Sequence, residues 1–146
     1  MNIVELKKHV SDFRGALDRL DWFSMPSNFR KFPLGTCGAI SDILAEHLYK
    51  QGIQEIEYVS GVSCQHRQNS HAWLEIAGYI IDITADQFPD CNEPVIVTDD
   101  HTWHHRFKES VRRPAGFLNG FKSTSRPTLN AVRDLNIVYK AALACL

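Results

Sequence analysis

Residues 71–84 of the 146-residue chain read His-Ala-Trp-Leu-Glu-Ile-Ala-Gly-Tyr-Ile-Ile-Asp-Ile-Thr and hold an imidazole and a carboxylate on two short alternating runs. The runs flank Ala77-Gly78, the pattern of a β-hairpin closed by a two-residue turn. Such a turn sets Ile76 opposite Tyr79, Trp73 opposite Asp82, and His71 opposite Thr84. Because strand side chains alternate, one face carries His71, Trp73, Glu75, Ile80, Asp82 and Thr84. The other carries Ala72, Leu74, Ile76, Tyr79, Ile81 and Ile83 and bears no charge, so it is the core side and fixes the register. His71 and Asp82 are then diagonal neighbours, about 7–8 Å apart by backbone and within side-chain reach. A slip of one residue would place them on opposite faces.

A carboxylate beside an imidazole fixes its tautomer and stabilises the imidazolium, which leaves a nucleophile to be found. Cys37 stands in Gly35-Thr36-Cys37-Gly38, at the start of a helical pattern. There the unsatisfied first-turn N–H groups and the helix dipole favour thiolate over thiol. Glycines on both sides let a substrate carbonyl approach the backbone, and the N–H of Gly38 is a candidate oxyanion donor. Cys37 lies on the stripe of Ile40, Leu44 and Leu48, so the helix should present its thiol toward the sheet it packs on. Trp73 is expected as a wall beside the site and Glu75 in solvent. His47, within an apolar stripe, is expected as a satisfied core histidine.

The elements that must position these residues follow from periodicity. Ile3, Leu6, Val10, Phe13, Leu17 and Leu20 mark a first amphipathic helix over residues 2–20. A loop rich in Pro and aromatics leads to the Cys37 helix, which Gly52 stops. Residues 55–62 read as a strand, 63–70 as polar loop, and 94–98 as another short strand. Residues 101–127 carry no clear pattern. Leu129, Val132, Leu135, Val138 and Ala142 mark a closing helix over residues 128–145. No linker or repeat interrupts the chain, so residues 1–146 form one expected domain.

With 44% hydrophobic and 23% charged residues and a formal charge of −1, disorder is excluded and neither a nucleic acid nor a membrane is the expected partner. Charges in Met1–His9 stand where a signal peptide needs its apolar core, so a cytoplasmic location and four free cysteines are expected. Residues 78–100 carry six acids and no Lys or Arg, while residues 101–126 carry six bases and one acid. Mutual neutralisation of the two blocks is the first expectation, and steering of a charged partner by the basic block is the second. Cys64-x-His66 with His71, or His101 with His104 and His105, would supply zinc-type ligands. Paired Cys motifs are absent, and neither a metal nor another cofactor is expected.

Phe32-Pro33-Leu34-Gly35-Thr36-Cys37-Gly38, then His71-Ala72-Trp73-Leu74-Glu75, then Tyr79-Ile80-Ile81-Asp82-Ile83-Thr84 resemble the transglutaminase-like branch of the papain-like cysteine protease superfamily. Small bacterial members, including leader peptidases of lasso-peptide maturation, are similar in flavour; the likeness spans about residues 32–87. It implies an α+β fold with a nucleophile helix packed on an antiparallel sheet and flanking N- and C-terminal helices. It also implies a Cys37–His71–Asp82 triad without a cofactor and a protein or peptide substrate. The implied chemistry is amide hydrolysis through a thioester, as in a peptidase, amidase or protein deamidase. Acyl transfer to an amine, as in a transglutaminase, is the alternative. So is a non-catalytic binding module or toxin-type effector, in which Cys37 would be buried and inert. One departure stands out: papain-type enzymes place an oxyanion-stabilising Gln six residues before the Cys, where this chain has Lys31. Asn28, Trp22 or backbone are the candidate substitutes, and Gln87, just past the second strand, is a candidate substrate contact.

Overall fold

The computed structural model describes residues 1–65, 69–117 and 129–146. Three helices and a five-stranded antiparallel sheet form an α+β arrangement: α1 (Ile3–Asp18), α2 (Cys37–Lys50), β1 (Glu57–Ser63), β2 (Ser70–Ile76), β3 (Tyr79–Asp82), β4 (Ile96–Thr98), β5 (Phe107–Pro114) and α3 (Leu129–Leu143). The sheet order is β4-β3-β2-β1-β5. Among the described residues no helix is long and apolar enough to cross a membrane.

Each helix forms where its apolar spacing predicts. Asn2 caps α1 by accepting from the Glu5 N–H at 3.2 Å, and Leu6, Val10, Phe13 and Leu17 are buried one turn after another. Ile40, Ile43, Leu44 and Leu48 of α2 and Leu135, Val138 and Ala142 of α3 meet them. α2 packs on the sheet face made by Leu74, Ile76, Ile81 and Ile83, the core face expected from the alternation, and α1 and α3 pack against α2 and each other in the same core. His47 stacks on Phe13 within this core at 4.8 Å between ring centres. Its Nδ1 has no partner, so it is buried but not fully satisfied, and burial pushes it toward the neutral form.

The hairpin register is the one the sequence implies, with Ile76 opposite Tyr79, Glu75 opposite Ile80 and Leu74 opposite Ile81. Ala77 and Gly78 both take positive φ, 49° and 84°, as a type I′ turn requires. The unpatterned stretch after residue 100 contains β5, an edge strand that pairs antiparallel with β1. Two short 3₁₀ turns, Trp22–Ser24 and Ser27–Phe29, occupy the aromatic loop before α2.

The charge blocks do not neutralise each other as blocks. Arg106 pairs with Asp90 across them at 2.7 Å, but Arg112 goes to Glu57, Glu75 and Glu109, and Arg113 to Asp42 at 2.8 Å. Asp86 is taken by Arg14 at 2.8 Å. Strand pairing, rather than sequence adjacency, chooses these partners, because β5 lies beside β1 while the acidic residues lie beyond β3. Lys122 and Arg126 lie outside the described residues. Glu75 is not a solvent-facing acid: it accepts from the Trp73 indole at 3.2 Å and from Arg112 at 3.0 Å.

Candidate active site

Two elements deliver the three residues. β2 and β3 hold His71 and Asp82 on the sheet face away from the helices, and the hairpin lets His71 Nε2 reach Asp82 Oδ2 at 2.6 Å. Cys37 is the first residue of α2, whose packing on β2 brings the thiol to the start of that strand. The sulfur lies close to the Ala72 N–H and to the His71 ring, whose Nε2 is committed to Asp82 and whose Nδ1 has no hydrogen-bond partner. The structure therefore brings Cys37, His71 and Asp82 together in the order sulfur, imidazole, carboxylate.

The electrostatics follow the geometry. Burial pushes the Cys37 thiol up, but the nearby His71 ring and the Ala72 N–H outweigh it, and the thiol is held below its ordinary range. Burial opposes charge on His71, yet Asp82 and Cys37 together raise it to about 9. Asp82 is wholly buried, which alone would favour the protonated acid. The charge of His71 and the hydrogen bonds of His104 and His71 reverse this and hold it well below the carboxylate range. The thiol is thus lowered, the ring raised and the carboxylate held ionised, which are the directions that favour an ion pair of Cys37 and His71. The thiol stays half-buried and reachable, whereas His71 and Asp82 are 1% and 2% exposed.

The surroundings differ in part from expectation. Thr36 precedes α2 but does not cap it; its hydroxyl donates to Pro33 O at 2.9 Å, so no capping side chain occupies the first-turn N–H groups. Gly38 is next to the nucleophile for a steric reason the sequence does not show: a Cβ there would sit 2.9 Å from the Tyr58 hydroxyl. Gln87 braces the site, accepting from Gly35 N–H at 3.3 Å and donating to Thr84 O at 3.0 Å. It thereby ties the turn before Cys37 to the chain just after Asp82. Asn28 lines a cavity of about 240 Å³ with Phe29, Gly35, Thr36 and Ala39. Trp22 donates its indole N–H to Leu17 O at 3.1 Å and stacks on Phe32, so it is already engaged. Trp73 is 4% exposed and packs against His71 as a wall, with Phe88, Trp103 and Phe107 completing an aromatic enclosure.

Sequence reasoning missed the neighbour of greatest consequence. His104, in the 3₁₀ turn His104–Arg106, places Nε2 2.7 Å from the same Asp82 oxygen that His71 uses. The other oxygen, Oδ1, accepts the Thr84 N–H at 2.9 Å. His104 was legible only as one of three nearby histidines, and these do not converge. His101 Nε2 meets Gly78 O at 2.8 Å, and His105 is exposed. Of the other zinc-type set, Cys64 is exposed and His66 lies outside the described residues. His71, Asp82 and His104 are of a type and closeness that could hold a metal ion, their nearest ligand atoms lying within 4.8 Å. Here the two nitrogens stand at hydrogen-bond distance from one oxygen, at 2.6 and 2.7 Å. All four cysteines are free. No protein-family model, no curated protein and no solved structure matches this chain.

Proposed function

We propose that the protein is a cysteine-dependent hydrolase of amide bonds, with a core of the papain-like, transglutaminase-like kind. The observation that carries this reading is a half-buried cysteine at a helix start, beside an imidazole whose Nε2 a buried carboxylate holds at 2.6 Å. Cys37 thiolate attacks the carbonyl carbon, and the carbonyl oxygen becomes an oxyanion beside the first-turn amides of α2. His71, protonated at the start, gives its proton to the leaving amine as the tetrahedral intermediate collapses to a thioester. Neutral His71 then takes a proton from water as it attacks the thioester, and returns it to the departing Cys37 sulfur. Asp82 stays ionised throughout and holds the ring in place. A half-buried rather than sealed thiol favours turnover over a non-catalytic module.

The test uses p-nitrophenyl acetate, a small activated acyl donor, with p-nitrophenolate release and intact mass as readouts. Wild type acquires one acetyl group on Cys37 and loses it with time; Cys37→Ala and His71→Ala do neither. Iodoacetamide labels Cys37 ahead of Cys64, Cys91 and Cys145, and does so below the ordinary thiol range near pH 8.5. Acetylation spread over the four cysteines, or a Cys37 alkylation profile of an ordinary thiol, removes the reading.

A further inference from the structure

Asp82 accepts from two imidazoles at one oxygen. His71 Nε2 and His104 Nε2 approach Oδ2 at 2.6 and 2.7 Å, while Oδ1 takes the Thr84 N–H at 2.9 Å. An ionised carboxylate has no proton to give, so both rings must donate. Both rings therefore carry a proton on Nε2, and in both Nδ1 has no hydrogen-bond partner although His71 is 1% and His104 2% exposed. The His104 ring is not free to turn away, since Trp73 and Trp103 pack edge-on to it at 4.9 and 4.8 Å between ring centres.

A carboxylate divides its charge among its donors, and each added donor makes it a weaker base toward the rest. Two of the three N–H groups on Asp82 are needed to explain its place in a triad; the third is not. We propose that His104 is a positioning residue that, by sharing Asp82 with His71, weakens the carboxylate's grip on the His71 imidazolium and so lets His71 release its proton. The groups facing His71 are consistent with this role. Cys37 approaches from α2, Asp82 from β3 and His104 from the 3₁₀ turn, while Trp73, Phe88, Trp103 and Phe107 contribute uncharged rings. His104 is thus the titratable neighbour that touches the carboxylate without touching the nucleophile.

The inference rests on the hydrolase reading for its consequence, but not for its measurement. His104→Met removes the donor at similar bulk, and His104→Gln keeps an amide N–H at similar reach. The ionisation of His71, followed by ¹H–¹⁵N correlation NMR, should move up by on the order of one pH unit in the Met variant, a tenfold change, and return toward wild type in the Gln variant. Hydrolysis of the acetyl-Cys37 thioester at pH 7 should slow about tenfold in the Met variant, because His71 must be neutral to accept the proton of water. In wild type, His104 Nε2 should carry a proton across the range in which His71 is charged. An unmoved His71 ionisation in the Met variant, equal shifts in both variants, or a His104 without a proton on Nε2 overturns the proposal. So does a Met variant that fails to fold where the Gln variant folds, since His104 would then be a structural tie. If both variants unfold, the Nε2 proton of His104 in wild type decides. Should His71 shift as expected in a protein that p-nitrophenyl acetate never acylates, the coupling stands and the hydrolase reading falls.

Discussion

The two faces of the sheet are built from the same strands on opposite principles. On the helix side, Leu74, Ile76, Ile81 and Ile83 share one apolar core with the three helices. On the other side, Val59, Trp73, Ile80 and Phe107, with Phe88 and Trp103 against them, enclose two histidines and an aspartate. Apolar burial is roughly proportional to area and indifferent to pH. A buried ionic cluster adds little net stability, since desolvation consumes most of its attraction, but it fixes protonation states and directions. Alternation on one hairpin thus assigns stability to one surface and chemistry to the other.

The largest effect that would sharpen this contrast is Asp82→Asn. The amide cannot serve as the anionic acceptor for both rings, and its NH₂ would face the Thr84 N–H. Acetylation of Cys37 should fall by about 10² to 10⁴, the upper value being the loss seen when a serine triad loses its carboxylate. Near-wild-type acylation in a folded Asp82→Asn protein would break the division of roles. Leu74→Ala, at a side chain with 0% exposure on the other face, should cost about 2–5 kcal/mol in urea unfolding. The folded fraction should acylate at the wild-type rate; a parallel collapse of chemistry would show that the faces are not separable.

The third and smallest effect is the pH dependence of stability. His71 is raised to about 9 in the folded protein, so its bound proton contributes stability fully below the unfolded value near 6.5. That contribution is lost as pH rises from there through about 9. Asp82 has the opposite sign: its contribution is present above the unfolded carboxylate value and is lost as pH falls below it. Urea midpoints should show the alkaline decline in wild type and in Leu74→Ala, but not in Asp82→Asn, where His71 has lost its counter-charge. Retention of that decline in Asp82→Asn would assign it to another group.

What the sequence disclosed divides along the same line. The hairpin register was legible because its two faces differ so sharply in polarity that one pairing alone buries the uncharged set. The helices were legible because each has a single apolar stripe. β5 was not, since residues 108–112 are exposed and its side chains carry no inward-outward alternation; it is held by backbone pairing to β1. His104 was hidden for a related reason. His101, His104 and His105 lie within five residues, and a 3₁₀ turn, which leaves no lasting periodicity, decides which ring turns inward. The Tyr58 hydroxyl against Gly38 and the Gln87 brace depend on contacts between elements far apart in the chain, which no local pattern encodes.

The Ala77-Gly78 turn carries a consequence for how the chain can change length. Strand side chains have a period of two, so what the turn transmits from β2 to β3 is a parity. Inserting or deleting one residue there would reverse it, sending Asp82 to the helix side while His71 stayed on the other, and would at the same time push aliphatic side chains out of the core. Adding two residues restores parity and needs only a longer loop. The hairpin therefore reads its own length modulo two, and the distance of 2.6 Å between His71 and Asp82 is the quantity that depends on it.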